Sequence, residues 1–152
     1  MYARAINFAV ADRPAGMTIV MHTCRGNWKS TWLAEGGYDP VAETVFNETN
    51  VDGYFLEYDS VRAGGFEPLR FVPKGKKVVL GLVSTKTGVP EKKDELKRRI
   101  DEAARYIPLE NLGISPQCGF ASSHHGNLLT EDDQWRKLAL VVEVAREVWG
   151  EA

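Results

Sequence analysis

Cysteine is scarce in this chain: 152 residues carry two, Cys24 and Cys118, far apart in sequence. Two cysteines are too few for a disulfide-stapled secreted scaffold, so at most one bridge forms. As thiols they serve either as small buried hydrophobes or as ligands. Histidine is equally rare, with three residues. Neither charge sign dominates: Lys plus Arg is 19 and Asp plus Glu is 21, a formal charge of −2. That balance leaves no electrostatic footprint for nucleic acid or an anionic membrane. No apolar run approaches the ~18–20 residues of a membrane span. The opening "MYARAINFAVADRP" lacks the pattern of a secretory leader, so a cytoplasmic protein is expected. Phosphate-binding glycine loops of the G-x-G-x-x-G and G-x-x-x-x-G-K-[ST] types are missing, as is the G-x-S-x-G nucleophile elbow.

What is present reads as one globular domain over 1–152, with 43% hydrophobic and 26% charged residues and no low-complexity linker. Strand-like runs at 17–22 ("MTIVMH"), 51–59 ("VDGYFLEYD"), 76–84 ("KKVVLGLVS") and 112–115 ("LGIS") alternate with helical segments. The helix around 39–47 is short. The one over 91–107 carries Leu96, Ile100, Ala103 and Ile107 on a single stripe. The last helix places Leu138, Val141, Val142, Ala145 and Trp149 on its apolar side, and Thr130 with Asp133 reads as a capping box at its start. The first ten residues form a helix without a strand of its own, with Ala5, Ile6, Ala9 and Val10 apolar. Four parallel βα units behind an orphan helix make an α/β fold equal to half of a (β/α)8 TIM-type barrel. A closed barrel needs ~200 residues or more.

The chemistry-bearing residues fall at the carboxyl ends of these runs. His22 and Cys24 follow the first, Glu57 the second and Cys118 the fourth. In parallel sheets and barrels those ends share the face where sites are built. His, Cys, Glu and Cys form a coherent shell for zinc, which takes four soft and borderline donors. Two thiolates and a carboxylate leave a net −1 zinc site, poor at making hydroxide but suited to holding a thiol as thiolate. Glu57, the hardest donor, is then the catalytic member, the ligand that yields to an incoming sulfur. The chemistry expected is alkyl transfer to sulfur.

"MHTCRGN", the Glu of "FLEYD" and "SPQCGF" resemble the carboxyl-terminal half of the catalytic barrel of the cobalamin-independent methionine synthase family, in its shorter His-x-Cys-Arg-Gly-Asn form. The resemblance covers essentially the whole chain. It implies zinc held by His22, Cys24, Glu57 and Cys118, homocysteine as the thiol, and a methyltetrahydrofolate as methyl donor. The family's synthases end the third of these strands in a histidine acid, where this chain has Val83 and Ser84. A preactivated donor needs less help from such an acid. The resemblance also implies a missing amino-terminal half, so self-association or pairing with that half is expected.

Plainer readings stand beside these. Glu57 can pair with Arg62 at the surface. Arg25 and Asn27 either grip a substrate carboxylate or shape the turn around Gly26. Asp59 and Ser84 are further candidate substrate contacts, and Asp59 with Arg62 can instead order the loop. His124 and His125 read as a solvated loop pair, "KGKK" (74–77) as a solvated strand entrance, and the four tryptophans as packing. A zinc-binding remnant without turnover, or a cysteine–histidine hydrolase, are the rival functions.

Overall fold

The computed structural model describes residues 1–150. Helix α1 (Tyr2–Ala9) is followed by strand β1 (Val20–Thr23), helix α2 (Ala42–Glu48), β2 (Gly53–Glu57), β3 (Lys77–Val83), α3 (Lys93–Ala103), β4 (Leu112–Pro116) and α4 (Glu131–Trp149). The strands form one four-stranded sheet in the order β1-β2-β3-β4, every pair parallel. This is the half-barrel arrangement the alternation of strands and helices predicts.

The sheet's two faces differ in cover. Tyr54, Leu56, Val78, Leu80 and Leu82 alternate onto the helix side and are buried, with Leu96, Ile100, Ala103 and Val144 packed above them. The opposite face carries Val20, His22, Phe55 and Val79, in register through the pairs Val20↔Gly53, His22↔Phe55 and Phe55↔Val79. Among the described residues no second layer covers it: Val20 is 46% exposed and Phe55 and Val79 are half-buried. Gly81 is closely packed there: a Cβ would lie 2.3 Å from Gln117 Oε1 and 3.0 Å from the Leu56 carbonyl, so a side chain at this position would push Gln117 from its place.

Helix α4 begins as its sequence predicts, with the Asp133 N–H donating to Thr130 Oγ1 and the Thr130 N–H returning to the Asp133 carboxylate. Its inward side keeps Val141 and Trp149 of the expected stripe but not Leu138 or Val142. Lys137 and Val144 are buried, and Leu140, Val141 and Val148 pack beside them, while Val142 is 48% exposed. Trp135, Leu138, Ala139 and Val142 line an outward apolar strip. Lys137 is anchored on that inward side, its ammonium bonding the Val89 carbonyl at 2.6 Å and both Glu91 oxygens. In α1, likewise, Ala3 and Ile6 face inward and Ala5 and Ala9 do not. The "KGKK" entrance is only partly solvated. Lys76 Nζ donates to the carbonyls of Phe46 and Thr49 and to Tyr54 Oη, tying α2 to the sheet.

Leu80 lies at the sheet centre with no exposure. Leu80→Ala is expected to cost about 2–5 kcal/mol in urea unfolding, against about 0.5 kcal/mol or less for Val142→Ala on the outward strip. Glu147 joins the two long helices, accepting from Lys93 and Lys97 at 2.8 Å each, and these bonds hold its carboxyl down to about 2. A depressed folded pKa stabilises above the unfolded value and is lost as pH falls toward the folded one. Glu147→Gln should therefore lower stability at pH 7, and its difference from the parent should fade between pH 4.5 and about 2.

Candidate metal centre

The site grows from the loops that leave β1 and β4, the two edge strands. Three strand spacings of ~4.8 Å would separate those edges by ~14 Å in a flat sheet. Yet Cys24 Sγ and Cys118 Sγ lie 2.8 Å apart, so both loops bend over the uncovered face until they meet. His22 Nε2 is 4.0 Å from Cys118 Sγ, and the donor atoms of His22, Cys24 and Cys118 all fall within 4.8 Å of one another. An open cavity of about 540 Å³ fronts the three, lined also by Phe55, Asn27, Gly119 and Ser122.

Local backbone chemistry aims each sulfur. After Cys24 the chain reverses at Gly26, whose φ of 95° and close approach to Leu33 exclude a side chain. That turn points the Gly26 N–H at Cys24 Sγ, 3.2 Å away. Cys118 itself adopts φ 57°, an uncommon conformation for a residue with a Cβ, and receives the side-chain amide of buried Gln117 at 3.1 Å. Each sulfur thus accepts an N–H, as thiolates do. Burial, and then the neighbouring Cys24, push the Cys118 thiol up to about 12. Only a cation placed among these donors makes two thiolates favourable there. Two sulfurs and an imidazole are the donors zinc prefers.

Glu57 stands apart from the trio. It is fully buried at the end of β2, not at the surface, and its carboxylate accepts the Arg25 N–H. Arg62 bonds it at 3.2 Å, with Lys86 and the Arg25 guanidinium each at 3.6 Å. Asp59 shares the same cations, taking Lys86 at 2.8 Å and Arg62 at 3.4 Å. Three cations against two carboxylates leave this web with one positive charge in excess.

The remaining candidates are tied into this framework. Arg25 donates Nε to the Gly36 carbonyl and stacks over Tyr38 at 4.5 Å. Asn27 holds the loops together, donating to Thr85 Oγ1 and accepting from the Ser30 N–H. Ser84 donates its hydroxyl to Asp59 at 2.8 Å, and its N–H goes to Glu91. His124 and His125 are exposed, and the His125 ring meets Trp28 edge-on at 5.2 Å. Lys86 and Gln117 escaped sequence reasoning. The one available signal was their position, immediately past β3 and beside Cys118.

The model of the cobalamin-independent synthase catalytic domain matches residues 4–147. This chain belongs to that family. The Bacillus subtilis (strain 168) proteins YxjG and YxjH, both uncharacterized, are 58% and 57% identical to it over 150 residues. Those alignments take in 98% of this chain but 40% of each relative, so the chain spans well under half of their length. A Listeria monocytogenes structure assigned as a vitamin-B12 independent methionine synthase is 40% identical, with a TM-score of 0.74 over 99% of this chain and 41% of that one. A B12-independent methionine synthase from Shewanella sp. W3-18-1, solved with selenomethionine, shares the fold at 21% identity and TM-score 0.74, over 96% of this chain and 42% of its own.

Asp59→Asn would leave the Lys86 ammonium without its shortest partner in a buried setting. The expected loss is about 3 kcal/mol, read from the urea midpoint.

Proposed function

We propose that this chain is the metal-holding, carboxyl-terminal half of a zinc-dependent S-methyltransferase that methylates homocysteine to methionine. The convergence of His22, Cys24 and Cys118 carries this reading, because three scattered residues of the right softness meet at the sheet's carboxyl end. Family membership supports it. Glu57 is the fourth proposed ligand; it would have to turn from the Arg25 N–H and Arg62 to reach a metal, and as the hardest donor it would be the one an incoming thiol displaces most easily. When bound, zinc supplies the positive charge that keeps such a thiol deprotonated at neutral pH.

The chain's own groups do the rest. The Gly26 N–H and the Gln117 amide hold the two cysteine sulfurs in place. Arg62 bonds the Glu57 carboxylate at 3.2 Å and the Lys86 ammonium lies 3.6 Å from it, fixing where that carboxylate sits. The open cavity over Phe55 admits the thiol and the methyl group it attacks. The substrate's S–CH3 bond forms as the donor's bond to that carbon breaks, and the bonding pair leaves with the donor. Val83 and Ser84 offer no strong acid at the end of β3, which favours a donor whose leaving group departs unaided.

Pairing with an amino-terminal half-barrel belongs to the same proposal. Two open strand edges, the bare face with Val20 and Phe55, and the outward strip of α4 are surfaces such a half would cover.

The test is cobalt substitution of the purified chain followed by titration with homocysteine. A shift in the visible spectrum as the thiol enters is the expected result. A spectrum that does not change would favour a zinc-holding remnant, and thiol-independent hydrolysis surviving a chelator would favour cysteine–histidine chemistry. Gln117→Leu should weaken zinc binding about 10–100-fold in chelator competition.

A further inference from the structure

We propose that Cys24 and Cys118 are also a modification site, closing a reversible intrachain disulfide when a peroxide meets the metal-free chain. The sulfurs are 2.8 Å apart, and a disulfide needs ~2.05 Å, so bonding requires an approach of under about 1 Å. Two sulfurs bound tetrahedrally to one zinc would stand ~3.8 Å apart, given Zn–S near 2.3 Å. The observed pair lies between these two arrangements, and each is reached by rotating the two cysteine side chains about Cα–Cβ. The backbone of both turns keeps its hydrogen bonds throughout.

Exposure decides the order of events. Cys24 is exposed and Cys118 half-buried. The Cys24 sulfur attacks a peroxide oxygen, the O–O bond breaks, one water leaves, and Cys24 becomes a sulfenic acid. The Cys118 sulfur, already in contact, attacks the Cys24 sulfur; the S–O bond breaks and a second water departs. The two thiols have then given two electrons and two protons to hydrogen peroxide. Proximity keeps Cys24 from oxidation beyond the sulfenic stage, because the resolving sulfur is in place before the oxidant arrives. With both sulfurs consumed, two metal donors are lost, so the chain holds either a cation or a disulfide. This last consequence rests on the proposed zinc site; bond formation between the sulfurs does not.

The bridge would tie the ends of β1 and β4 across the bare face, and the oxidised chain should unfold at higher urea than the reduced one. The experiment compares chelator-stripped chain, zinc-loaded chain and the His22→Ala variant, each treated with stoichiometric hydrogen peroxide and digested without reductant. Stripped chain should lose both free thiols and two hydrogens of mass, yield a linked Cys24–Cys118 peptide, and recover with dithiothreitol. Zinc-loaded chain should react about tenfold more slowly, releasing one zinc per bridge to a chromophoric chelator. His22→Ala keeps both sulfurs and should oxidise at the stripped rate. Linked peptide from a chain that never held zinc would support the bridge while removing the zinc reading. Two surviving thiols, sulfinic acid on Cys24 with Cys118 untouched, or bridges only between chains would each overturn the proposal.

Discussion

Two buried carboxylates shared among three cations hold the upper end of this sheet together. Glu57 and Asp59 come from the end of β2, Lys86 from the loop after β3, Arg25 from the turn after β1, and Arg62 from the segment between β2 and β3. Such a web contributes little net stability, because desolvating five charges offsets most of the attraction between them. Its value is positional. Each group can be satisfied only where the others stand, so the ends of three strands and their loops are fixed relative to one another. Tyr38 completes the frame, accepting the Glu57 N–H at 2.9 Å while its ring supports the Arg25 guanidinium.

The sulfurs depend on that frame. Arg25 is the residue after Cys24, and its N–H is bound to the Glu57 carboxylate, so the turn at Gly26 cannot swing without breaking a buried charged hydrogen bond. On the other side, the Asn27 amide meets Thr85 Oγ1, which donates in turn to the Gln117 carbonyl beside Cys118. One continuous chain of hydrogen bonds thus links the two cysteine loops across the whole sheet. Of the web's cations Lys86 acts to lower the Cys118 thiol, but burial and the neighbouring Cys24 raise it further, so two thiolates there still require a cation among them.

The half-barrel also explains the molecule's exposed apolar surface. Its helix side is fully packed, whereas the face bearing His22 and Phe55 and the outer strip of α4 have no partner within the described residues. Relatives more than twice as long match this chain over a 40% share of their length.

Much was legible in the residues themselves. Alternation of β-branched runs with amphipathic segments determines four parallel units, because hydrophobic period and capping chemistry are local properties of the chain. The capping box at Thr130 and the stripe from Leu96 to Ile107 are instances. The residue types at strand ends likewise marked His22, Cys24 and Cys118 as donors that one face could gather. Tertiary structure alone decided the rest. It brought edge-strand sulfurs into contact, placed Glu57 among cations, and turned α4 so that Lys137 and not Leu138 faces inward. Those outcomes depend on which distant charges neutralise one another in a dry interior, and no periodicity along the chain encodes that pairing.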